Sequence, residues 1–138
     1  MRKNLLIVTV LLAFIVASVG CSASGGSEKA LRKKVTQEWQ AKMNMDVGAL
    51  YDLTTDEHKK RVPRESFKYE PNVTLVGFSI EKLEIVEEGT KALVRVDIKV
   101  KPEGFEFTFP THEEWLWQGG EWRLNVKPAQ KMTIPTEK

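Results

Sequence analysis

The sequence predicts an α+β fold in which helices pack on one face of a four-stranded antiparallel sheet. Three observations predict it. Apolar residues recur every four positions over residues 28–43, which is helical spacing. After Pro71 the period changes to two, which is strand spacing. The helical segments all precede the strands, so they form a layer of their own.

In the first helix Leu31, Val35, Trp39 and Met43 form an apolar stripe. Lys29, Arg32, Lys33, Lys34, Gln37, Glu38, Gln40 and Lys42 cover the rest, and that basic face is expected to be solvated. Ser27 is placed to cap the start. Asp46 is placed to cap a second, short helix with Val47, Leu50, Tyr51 and Leu53 as its apolar residues. Thr54 and Glu57 have capping-box spacing and start a third helix through His58 to about Arg61. His58, beside Lys59, Lys60 and Arg61, reads as a surface residue. Pro63 opens one more turn over residues 64–67.

Residues 73–86 read as a long strand whose alternation slips. Val76, Phe78 and Ile80 share one parity, whereas Leu83 and Ile85 share the other. A bulge near Glu81 and Lys82 puts both sets on one face. Glu88 and Gly89 turn the chain. In the next strand Ala92, Val94, Val96, Ile98 and Val100 face one way, and charged residues with Leu93 face the other. One apolar and one wet face indicate an antiparallel sheet. After the Pro102-Glu103-Gly104 turn, Phe105, Phe107, Phe109, Thr111, Glu113, Trp115 and Trp117 share the core parity. Gly119 and Gly120 form a two-residue hairpin loop. That loop sets Gln118 opposite Glu121, Trp117 opposite Trp122, Trp115 opposite Leu124 and Glu113 opposite Val126. Trp115, Trp117, Trp122 and Leu124 are then one cluster.

A chain of 138 residues allows one domain. One Cys excludes an internal disulfide framework, and with only two His no metal site is expected. His112 and Glu114 are two residues apart, too few ligands for a metal. The formal charge is +2 and the aromatics read as core, so no nucleic-acid partner is expected. There is no P-loop, dinucleotide fingerprint or nucleophile elbow, so no cofactor is expected.

Residues 1–20 read as an address. Arg2 and Lys3 precede an uncharged apolar run over residues 5–19, short for a membrane span. Val19 and Gly20 then lead into Cys21. This stretch resembles the bacterial lipoprotein signal, although Ser18 stands where that signal usually has Leu. The resemblance implies a diacylglyceryl group on the Cys21 thiol, cleavage before Cys21 and acylation of the new amine. Two or three acyl chains, such as palmitate, anchor a protein stably where one does not. Ser22 rather than Asp follows the Cys, which favours the outer membrane in a Gram-negative cell. Removing Arg2 and Lys3 from the 21 basic residues leaves 19, equal to the 19 acidic ones. Residues 21–27, CSASGGS, read as a flexible tether, residues 28–127 as the domain, and residues 128–138 as a loose tail.

The domain resembles the nuclear transport factor 2-like superfamily, in particular its small bacterial lipoproteins of unknown function. Its amphipathic opening helix, the segment from Asp46 to Thr55, the short helix before Phe67 and the tryptophan-rich closing hairpin carry the resemblance. It implies a cystatin-like cone: a curved sheet that wraps the long helix and leaves a pocket at one end. Superfamily members include isomerases, dehydratases and transport adaptors, so fold alone assigns no chemistry.

Tyr51, Thr111, Glu113 and Trp115 are the candidate pocket-lining residues. Glu113 has core-face parity, and a carboxylate in apolar surroundings has a raised pKa suited to acid–base work. Solvation at a rim, or pairing with an Arg, is the plainer expectation for Glu113. Asp46, Tyr51 and His58 lie on the helical layer, but capping, half-burial and surface position explain each of them, and no catalytic role is assigned. The expectation is a lipid-anchored envelope protein that binds a small apolar ligand or an envelope partner without catalysis. The alternatives are an isomerase- or dehydratase-like enzyme using a pocket carboxylate, and a structural module that dimerises through the outer sheet face. A cavity with converging polar groups favours the enzyme, and a pocket plugged by Phe and Trp excludes it.

Overall fold

A computed structural model describes residues 25–128. The signal-like residues 1–20, Cys21 and the tail beyond Pro128 lie outside the described residues. The fold is α+β. Three helices, α1 (Glu28–Met43), α2 (Val47–Leu53) and α3 (Asp56–Arg61), are followed by four strands. These are β1 (Leu75–Val86), β2 (Lys91–Val100), β3 (Phe107–Gln118) and β4 (Glu121–Leu124). They pair in the order β1-β2-β3-β4, all antiparallel. Among the described residues no helix is long and apolar enough to cross a membrane.

The caps follow local chemistry. The Ser27 hydroxyl accepts from the Ala30 N–H, and the Asp46 carboxylate accepts from the Ala49 N–H. At α3 the capping residue is Thr55, one position after the expected Thr54. Thr54 is already used: its hydroxyl donates to the Tyr51 carbonyl at 2.7 Å, and its backbone bridges to Leu124. Thr55 therefore accepts from the His58 N–H. Glu57 accepts from the Gln118 amide at 3.1 Å, so the capping box does not form.

The core joins Leu31, Val35 and Trp39 of α1 to Ala92, Val94 and Val96 of β2, with Trp115 and Trp122. Trp115 and Trp122 are fully buried. Met43, at the end of the expected stripe, is exposed. A spacing of four advances about 40° per step beyond a full turn at 3.6 residues per turn, so the stripe walks off the core.

The sheet register follows the sequence reading at the expected bulge and hairpin, but a second shift between Leu75 and Gly77 leaves Val76 exposed instead of on the face of Phe78 and Ile80. Ile80 pairs with Val96 and Lys82 with Arg95, so Glu81 is the extra residue of a bulge. Trp117 pairs with Trp122 and Trp115 with Leu124. Gly119 and Gly120 both have positive φ, which the tight turn of a two-residue hairpin requires. β1 begins at Leu75 rather than at residue 73, and β3 begins at Phe107 rather than at Phe105.

Two departures matter for the surface. Phe107 and Phe109 have core parity, yet both are about half exposed, and Phe105 more so. β4 ends opposite Trp115, so this part of β3 has β2 on one side only. Pro110, opposite Asp97 of β2, sits in that one-sided stretch, where a missing N–H does least harm. At the other end Gly25 and Gly26, expected in a flexible tether, are packed. The Gly26 N–H donates to the Gly89 carbonyl at 3.0 Å. A Cβ on Gly26 would come within 2.2 Å of the Trp122 ring. The Trp122 N–H donates to the Ser27 carbonyl at 3.1 Å.

Candidate functional site

Beyond the end of β4 the sheet and the helical layer enclose a cavity of about 510 Å³. Leu50, Phe67, Leu93, Leu124 and Val126 give it apolar walls. Glu38 and Lys42 of α1, Glu113 of β3 and Tyr69 of the segment before β1 bring polar groups to it.

Glu38 is the residue that the four-residue stripe misses. It is fully buried. A spacing of seven returns within about 20° of Leu31 on a helix, so Glu38 shares the buried axis with Leu31 and Val35. Lys42, four residues on, projects from the same side. Its ammonium lies 2.5 Å from Glu38 Oε1 and 3.7 Å from Glu113 Oε1. The same ammonium sits 3.7 Å from the centre of the Trp39 ring, a cation–π position.

The ion pair leaves oxygens unsatisfied. The Lys42 ammonium pairs with Glu38 Oε1, and Oε2 has no hydrogen-bond partner. The Trp115 N–H donates to Glu113 Oε2 at 3.1 Å, whereas Glu113 Oε1 has no hydrogen bond. Burial pushes the Glu38 carboxyl up to about 8, with Glu113 adding to the rise and Lys42 opposing it. Burial likewise raises the Tyr69 phenol. Near neutral pH, Glu38 therefore favours its protonated form, beside Glu113 and the Lys42 ammonium.

The four expected pocket residues separate. Glu113 lines the cavity, and its side chain is only 7% exposed. It pairs with a Lys and a Trp N–H, not with an Arg or with solvent. Trp115 is fully buried behind it as its hydrogen-bond donor. The Thr111 hydroxyl donates to the Val96 carbonyl, and the Tyr51 hydroxyl donates to the Val62 carbonyl at 3.0 Å. Neither Tyr51, Thr111 nor Trp115 lines the cavity.

His58 is buried, contrary to its surface reading. Phe67 lies edge-on to its ring at 5.7 Å, and its Nδ1 accepts from Arg61 at 3.2 Å. Burial and the Arg61 charge lower its pKa. At the mouth the Asn125 amide donates to Glu114 at 2.6 Å. That bond holds the Glu114 carboxyl below its ordinary range, helped by Lys127 and Lys91.

Among the described residues no three His, Cys, Asp or Glu side chains cluster to hold a metal. The arrangement brings two carboxyl groups, one of them with a raised pKa, and an ammonium to one part of a partly apolar cavity. No protein-family model matches the chain, and no curated protein matches it.

Proposed function

We propose that this chain is a lipid-anchored bacterial envelope protein whose domain binds a small, largely apolar ligand in the cavity above Glu38 and Glu113. One observation carries the binding reading: two buried carboxyl groups with unsatisfied oxygens at the floor of a 510 Å³ cavity. Where no proton or ligand donor bridges them, buried acceptors cost free energy, on the order of 1–3 kcal/mol each. A ligand donor recovers that cost. The helices-on-sheet architecture suits the nuclear transport factor 2-like resemblance, and the residues around Cys21 suit the lipoprotein one.

Mass spectrometry of the chain purified from its own membranes tests the binding reading. A small apolar molecule should co-purify and should be lost when Val126→Trp fills the cavity. Equal recovery from both forms removes the cavity from the account. The anchor has its own test. An alkyne fatty acid should label the wild type and not Cys21→Ala, and equal labelling refutes the anchor.

A second reading is acid–base catalysis of the isomerase or dehydratase kind. The raised Glu38 pKa beside Glu113 favours it, because a paired acid and base with separated pKa values can move a proton in two directions. Turnover lost in both Glu38→Gln and Glu113→Gln, with ligand still bound, would distinguish it from simple binding.

A further inference from the structure

The floor of the cavity has two carboxyl groups and one ammonium. Lys42 neutralises one of them, so the other needs either a proton or a second cation. Glu38 Oε2 has neither a hydrogen bond nor an ion pair, and Glu113 Oε1 has only Lys42 at 3.7 Å; both are acceptors once the Glu38 proton has left. A ligand that completes the site must therefore donate, and must donate to two oxygens. An ammonium has three donors and no acceptor, a hydroxyl has one donor, and a carboxylate has none. Part of the wall is apolar, and Phe67 and Tyr69 add aromatic side chains, which favour cations, while Lys68, His112 and Lys127 also border the space.

We infer that the cavity takes an apolar organic molecule bearing a protonated amine, and that the amine donates to Glu38 Oε2 and Glu113 Oε1. The inference rests on the cavity being a ligand site. Binding exchanges one proton for one cation, so the charge of the floor is conserved. The Glu38 proton leaves to solvent, and the ligand ammonium donates to the two free oxygens. The groups that face Glu38 are Lys42 from its own helix, Glu113 from β3 and Tyr69 from the segment before β1. Two further lysines border the cavity: Lys127 pairs with Glu114 at 3.3 Å, and Lys68 forms no ion pair with Glu38 or Glu113, whose cation is Lys42.

Three probes of one shape separate the possibilities: phenylethylamine, phenylethanol and phenylpropionate. Calorimetry on the full chain in detergent, with empty micelles subtracted, reads affinity. Repeating it at pH 7 in buffers of different ionisation enthalpy reads proton exchange. The amine should bind at least about tenfold tighter than the alcohol and release about one proton. Glu38→Gln should abolish the proton release, and Glu113→Gln should weaken the amine without strengthening the alcohol. Equal affinity for amine and alcohol, or tightest binding of phenylpropionate, overturns the inference and leaves the cavity reading standing. Binding of none of the three overturns both.

Discussion

Leu31, Val35, Glu38 and Lys42 follow the true 3.6-residue repeat of α1, and that repeat carries the site. A strict spacing of four selects Trp39 and Met43 instead, and it assigns Glu38 to the solvated face. The polar character of Glu38 hid it: a carboxyl on a buried axis reads as surface unless the helical angle is followed. Glu113 was legible because parity in a strand allows only two faces. Its partner was not, since contact between α1 and β3 is set by tertiary packing. The Glu38 pKa rises on folding, so its protonated form stabilises the fold fully below the unfolded value near 4.5. That contribution is lost as pH rises toward about 8. Between those values it should fall by about 1.4 kcal/mol per pH unit. Chemical denaturation from pH 5 to pH 8 should show this slope in the wild type and not in Glu38→Gln. Identical pH profiles would mean that Glu38 titrates normally. Lys42→Met should raise the Glu38 midpoint further, read by carboxyl carbon chemical shifts, because it removes the opposing charge.

At the level of elements, alternation and turn chemistry were most legible. The Glu81 bulge and the Gly119-Gly120 hairpin appear where period and turn residues place them. The Thr55 cap did not, because both Thr54 and Thr55 can cap and a tertiary bridge to Leu124 decides between them. Thr55→Ala should cost about 1 kcal/mol, measured by denaturation. Glycine at positions 25 and 26 reads as flexibility in sequence, but packing requires it in the fold. Gly26→Ala forces a methyl into the Trp122 ring and should cost about 1–3 kcal/mol. It should also shift the tryptophan fluorescence. Wild-type stability and fluorescence in that variant would mean that the segment before α1 is not docked on Trp122.

For the molecule as a whole, docking of Gly25 and Gly26 on the β1–β2 turn sets a distance. In the lipid-anchored account, Cys21 is only four residues from Gly25, a span of at most about 14 Å. The Gly89 end of the sheet then lies near the bilayer. The exposed Phe105, Phe107 and Phe109 lie at the other end of β2, some ten residues or about 33 Å away. Fold class was legible from element order, since segregated helices and strands leave few layer arrangements. The cavity was not, because it depends on where β4 stops and on how residues 125–127 cross beside β3. The central claim is that the space above Glu38 and Glu113 is a ligand site. A crystal structure of the chain purified from its own membranes tests it most directly. The account predicts density for a bound molecule within hydrogen-bonding distance of Glu38 Oε2 and Glu113 Oε1. Phe67, Tyr69 and Val126 collapsed into a filled cavity, with the two carboxyl groups bonded only to each other and to Lys42, would contradict it.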